Sequence, residues 1–106
     1  MYVRISVTRP RPQHRDRDLK NLQEEAIAAN RDEPNTANYH VLLGDPDESI
    51  LVIYEVFKDR SGFPEHQQSP HYKKFTALVQ EMGQNLSERI LKLEAKSLVP
   101  SDKDWR

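Results

Sequence analysis

Residues 51 to 75 read LVIYEVFKDRSGFPEHQQSPHYKKF. Ile50 to Tyr54 is an unbroken apolar run rich in β-branched residues, followed by Glu55, Val56 and Phe57. Such a run suits a strand buried on both faces better than one alternating toward water. Asp59 to Ser61 ends the strand. Pro64 fits a helix only within its first turn, where its missing N–H is not needed, so a short helix starts near Ser61 and runs to about Gln68. Ser69 followed by Pro70 then places a capping hydroxyl at the N-cap and a proline at the first helical position, which starts a further helix. Tyr72, Phe75, Val79, Met82 and Leu86 share one face of that helix, and Gly83 is placed to close it.

Working outward, Tyr2 to Thr8 alternates Val3, Ile5 and Val7 against Tyr2, Arg4, Ser6 and Thr8, the period of a strand with one buried face. Arg9 to His14 holds Pro10 and Pro12 and is expected to carry no regular element. A helix follows from near Asp16 to about Asn30, with Leu19, Leu22, Ala26 and Ala29 on a narrow apolar stripe. Asn38 to Leu43 reads as a second strand, joined through Gly44 to Asp47 to the buried strand as an antiparallel hairpin. On the far side, Arg89 to Val99 alternates again as a fourth strand. The order strand, helix, strand, strand, helix, strand is an α+β pattern, the ferredoxin-like βαββαβ arrangement: a four-stranded antiparallel sheet with helices on one face. One domain is expected over residues 1–99, with 100–106 as a C-terminal tail. Helices on one face leave the other bare, while the central strand calls for cover on both. A second copy of the sheet is the simplest cover, giving a dimeric α+β barrel.

Composition narrows the functions. The 106 residues carry 16 basic and 17 acidic side chains, interspersed, so no field exists to gather nucleic acid or an anionic membrane surface. Cysteine is absent, which removes disulfides, thiolate catalysis and cysteine-ligated metals. No apolar run approaches the roughly 20 residues of a membrane span, and MYVRISVTRP lacks the apolar core of a signal peptide, so a soluble cytoplasmic protein is expected. Nucleotide loops and serine-nucleophile elbows are missing. His66 and His71 stand five apart across a helix start and do not share the face of a helical ligand pair, so no metal site is expected. What remains is a set of aromatics and imidazoles converging from the second and third strands and residues 61–75: Tyr39, His40, Tyr54, Phe57, Phe63, His66, His71, Tyr72 and Phe75. Such a set either forms core or lines an apolar pocket with a few polar tips. Glu55, on a buried strand, must be paired or neutral, and an ion pair across the dimer is the expected answer.

The stretch Tyr54 to Asp59, then Phe63, His66, Ser69-Pro70-His71-Tyr72 and Phe75, resembles the signature of the antibiotic biosynthesis monooxygenase superfamily, which includes quinol monooxygenases. Glu33 to Tyr39, Gly44-Asp45-Pro46 and Val99 to Asp102 with Trp105 are similar to its flanks. The resemblance implies a homodimer and an oxygenase that uses no cofactor: a small quinol, phenol or polyketide-like aromatic loses a proton in an apolar pocket and its anion reduces O2. By position it implies His66 as base or proton relay, His71 and Tyr72 as catalytic partners, and Asn38, Tyr54, Phe57, Phe63 and Phe75 as substrate contacts. The haem-degrading branch of the superfamily is disfavoured, because Thr76 and His66 stand where that branch has its histidine and tryptophan. The resemblance also extends to a branch that isomerises a phosphorylated keto-sugar from autoinducer-2 breakdown, for which Lys58, Arg60, Lys73 and Lys74 would be the phosphate anchors. A dimeric ligand-binding protein without catalysis is the third alternative.

Overall fold

β3 (Leu51–Phe57) is an inner strand, hydrogen-bonded on one side to β2 (Thr36–Leu43) and on the other to β1 (Tyr2–Pro10). The computed structural model describes residues 1–82 and 87–104. Among them, α1 (Arg15–Asp32) follows β1, α2 (Gly62–Gln67) and α3 (Pro70–Met82) follow β3, and β4 (Ser87–Lys96) pairs with β1. The described strands form one antiparallel sheet of order β2-β3-β1-β4, the ferredoxin-like topology expected from the sequence.

The elements begin and end where local chemistry dictates. Glu33 caps α1 in an extended conformation because it precedes Pro34, and its N–H still reaches the Ala29 carbonyl at 3.2 Å. Ser69 Oγ accepts the Tyr72 N–H at 3.2 Å and donates to the His66 carbonyl at 2.6 Å, so one hydroxyl starts α3 and fastens it to α2. Several bounds differ from expectation: α1 runs to Asp32 rather than about Asn30, and β2 starts at Thr36 rather than Asn38. β1 runs on to Pro10 rather than stopping at Thr8, because Arg9 and Pro10 pair with Glu88 and Ser87 at the end of the ladder, where a missing N–H is tolerated. β4 starts at Ser87 and ends at Lys96 rather than spanning 89–99. Leu98 and Val99 lie almost fully exposed beyond it. The expected cap at Gly83, Leu86 on the α3 stripe and Trp105 in the tail lie outside the described residues.

The pairing assigns each strand residue to a face. Tyr39, Ile53, Glu55, Phe57, Arg4, Ser6 and Thr8 look toward the helices, whereas Val3, Ile5, Val7, Val52, Tyr54, Val56 and Leu93 look away; Leu91, next to the irregularity in β4, pairs with Val7 on the outer face and also borders the helix-side cavity. The apolar side of β1 is therefore the side opposite the helices, and its polar side faces inward. Leu22, Ala26 and Ala29 of α1 pack on Tyr39, Val41 and Ile53 to make the core on the helix side. A leucine buried as fully as Leu22 contributes about 1.5–3 kcal/mol. On the open face, Leu42, Leu91 and Leu93 remain 45–47% exposed. Residues 97–100 fold back over one end of it and form a groove with Val3, Ile5 and Tyr54. A single extra residue between the pairs Val7–Leu91 and Thr8–Arg89 makes a bulge in β4 at Ile90.

Candidate active site

The helix layer brings two carboxylates and two imidazoles together. Glu25 interrupts the apolar stripe of α1 and is buried, Glu33 closes that helix, His66 sits fully buried on α2, and His71 lies in the first turn of α3. His66 Nδ1 contacts Glu33 Oε2 at 2.8 Å and Oε1 at 3.0 Å, and His66 Nε2 stands 3.0 Å from Glu25 Oε1, close enough to pair but off the line of a hydrogen bond. His71 Nε2 meets the same Oε2 of Glu33. Outer partners hold both carboxylates, Thr36 Oγ1 donating to Glu33 at 2.6 Å and Tyr39 Oη to Glu25 at 3.4 Å.

This arrangement sets the protonation. Burial alone would discharge His66, but the facing carboxylates of Glu25 and Glu33 outweigh it and raise its pKa, so the ring is held as an imidazolium. Burial would raise Glu33, yet hydrogen bonds from Thr36, His66 and His71 keep it below the ordinary carboxylate range. Tyr39 is pushed upward by burial and by the negative charge of Glu25 and Glu55, and remains a phenol.

Beside His66 a cavity of about 230 Å³ opens between sheet and helices. Leu22, Ile53, Phe63, Tyr72 and Phe75 supply its apolar walls; Arg4, Glu55, Arg89 and Lys92 supply its charge. Glu55 is the unusual member. It is 8% exposed and its Oε2 has no hydrogen-bond partner, while burial raises its pKa to about 7 against the lowering pull of His66 and Arg4. Arg4 spreads its guanidinium 3.7 Å above the Phe63 ring, and its Nε is likewise buried without a partner. A carboxyl poised near neutrality, flanked by two cations and walled by aromatic rings, is equipped to take a proton from a weakly acidic organic hydroxyl and to hold the anion that results.

Of the sequence-predicted residues, His66, Tyr72, Phe63 and Phe75 line this cavity. The Tyr72 ring stands edge-on to His66 at 5.0 Å, and Phe57, fully buried, backs His66 at 5.9 Å. His71 reaches the cluster through Glu33 and also lines a smaller cleft between α1 and α3. Asn38 and Tyr54 are not brought to it: strand alternation puts both on the open face, where Tyr54 lies 6.0 Å from His40. Glu55 points into the helix-covered cavity with Arg4, not across the open face where an intersubunit ion pair would form. Lys58, Arg60, Lys73 and Lys74 are absent from the cavity lining. Sequence reasoning missed Arg4, Glu25 and Glu33. Glu25 was visible in principle as a carboxylate three residues after Leu22 and adjacent to Ala26 on a buried stripe. Arg4 was assigned to a solvent face that proves to be the inner one.

With the fold and site in view, the chain can be placed among known proteins. Residues 1–78, well over half of the chain, match the antibiotic biosynthesis monooxygenase family, and the protein belongs to that family. A Nitrosomonas europaea protein described as a candidate antibiotic biosynthesis monooxygenase superposes with a TM-score of 0.77 at 19% identity, over 92% of this chain and 99% of its own. A Bacteroides thetaiotaomicron protein of the same description gives 0.76 at 20%, over 94% and 91%. A Mycobacterium tuberculosis protein gives 0.73 at 24%, over 92% and 96%. At these identities the likeness establishes the shared fold. No curated protein matches the chain in sequence.

Proposed function

We propose that the protein is a cofactor-independent monooxygenase for a small quinol, phenol or polyketide-like aromatic, and that Glu55 is its base. The observation that carries this reading is the buried, unpartnered Oε2 of Glu55 facing a cavity walled by Phe63, Tyr72 and Phe75. The reading moves the base away from His66, because each of its ring nitrogens already faces a carboxylate. Glu55 takes the proton of the substrate hydroxyl; the imidazolium of His66 and the guanidinium of Arg4 hold the anion. The electron-rich anion then reduces O2: one oxygen atom enters the substrate carbon framework, the other leaves as water, and the substrate supplies all four electrons. Oxygen uptake by the purified protein with naphthoquinols and anthrones, corrected for autoxidation, tests this. We expect protein-dependent uptake that falls by about 10²-fold or more in Glu55→Gln. Uptake equal to background across the panel, or unchanged in the variant, overturns it.

A second reading is favoured by Arg89 and Lys92 in the cavity lining, which suit a phosphorylated keto-sugar and hence an isomerase. Turnover under nitrogen separates the two. We further propose that two copies close sheet against sheet, since the exposed apolar rows of the open face are their own best complement.

A further inference from the structure

We propose that Glu33, His66 and His71 form a binding site for one first-row divalent transition ion, with Zn²⁺ as the reference ligand. Among the described residues, one donor atom from each of these three lies within 4.8 Å of the other two. The donors are His66 Nδ1, His71 Nε2 and a Glu33 carboxylate oxygen, a two-imidazole, one-carboxylate set of the hardness that zinc, cobalt and nickel accept.

The surroundings have the features of a built site. Metal-binding histidines direct their remaining ring N–H at a carboxylate, and Glu25 Oε1, 3.0 Å from His66 Nε2 as an ion-pair contact, is the carboxylate within reach of that N–H once the ring turns into line. Glu25 in turn accepts from Tyr39, and Glu33 from Thr36, so both carboxylates are themselves oriented. Charge balances as well. Without protons on their second nitrogens the two rings are neutral, which leaves Glu25 and Glu33 to be compensated by a single divalent cation. The ion would occupy the position that the shared protons between Glu33 and the two rings hold otherwise, at about 2.0–2.2 Å from each donor. His71 and Glu33 retain 14% and 11% side-chain exposure, which provides the route of entry, while His66 is closed off behind them. The three donors come from the end of α1, from α2 and from the start of α3, so the ion would cross-link all three helices of the layer. A bound ion would take over the positive charge that the His66 imidazolium carries in the oxygenase reading, and because metal uptake is measured directly its outcome does not depend on the oxygen assay.

The test is titration of the untagged, chelator-treated protein with Co²⁺, followed by visible absorption, and with Zn²⁺, followed by calorimetry and melting temperature. One ion per chain, a cobalt spectrum of low coordination number displaced by Zn²⁺, and a higher melting temperature are expected. His71→Ala should abolish the cobalt spectrum, and Glu25→Gln, which leaves all three donors in place, should weaken Zn²⁺ binding by about 10–100-fold. His40→Ala, remote from the cluster, should change nothing. Circular dichroism confirms that each variant is folded. Absence of saturable uptake, or uptake lost in His40→Ala and retained in folded His71→Ala, overturns the proposal.

Discussion

At the scale of single residues, Glu55 is the group whose environment most contradicts its chemistry. The unfolded chain ionises it near 4.5 and the folded chain near 7, so between these values the native state binds the extra proton. Its contribution to stability therefore falls as pH rises from about 4.5 to about 7 and stays low above that, a difference on the order of 3 kcal/mol. Arg4, His66, Glu25 and Glu33 all act on it, and His66, raised in the fold, also loses its contribution as pH rises through its folded pKa. Because His66 and Glu55 act on each other, the variant-minus-wild-type difference reports the coupled pair. Glu55→Gln should gain stability relative to wild type between pH 5 and pH 8 by up to about 3 kcal/mol in urea denaturation. A variant-minus-wild-type difference that does not move with pH would show that the carboxyl is not held neutral.

At the scale of elements, the turn from β3 into α2 is a tight joint. A Cβ placed on Gly62 would stand 2.8 Å from Phe57 Cβ and 3.1 Å from the Asn35 carbonyl oxygen, and Phe57 is fully buried with nowhere to move. Gly62→Ala should cost about 1–3 kcal/mol and displace His66, measured as a lowered melting temperature together with lost activity. The same elements show what the sequence could tell. Ser69-Pro70, Glu33-Pro34 and the alternation of β1 and β4 are local signals, written in dihedral preference and missing N–H groups, and they placed the helices and strands correctly. Which face of β1 meets the helices is not local. Val3, Ile5 and Val7 offer the better core by hydropathy, yet they face away from the helices, and the inner face of β1 presents Arg4, Ser6 and Thr8 to the cavity. Asn38 and Tyr54 were misplaced for this reason, and Arg4 was overlooked for it. Glu55, a carboxylate on a buried strand, marked the interior polarity in one dimension, as Glu25, isolated on an apolar stripe, could also have done.

At the scale of the whole molecule, the open face sets the expected assembly. Leu91 and Leu93 on β4, with Leu42 on β2, lie about half exposed on a face that a solitary sheet would leave to water. Leu93→Glu should convert a dimer to a monomer by light scattering at micromolar concentration while preserving the far-ultraviolet dichroism. A monomeric wild type, or a dimer indifferent to the change, would remove the sheet-to-sheet arrangement. The bulge at Ile90 has an effect on this same strand that reaches the chemistry. In an uninterrupted ladder, Ile90 would stand opposite Thr8 and look into the cavity, and Arg89 would look out. The inserted residue shifts the phase of the strand by one, delivering a guanidinium to the rim and sending the isoleucine outward. The charge of the rim is thus encoded in a count of backbone units, so that removing one residue from this strand would turn Arg89 out of the cavity with no lining residue substituted.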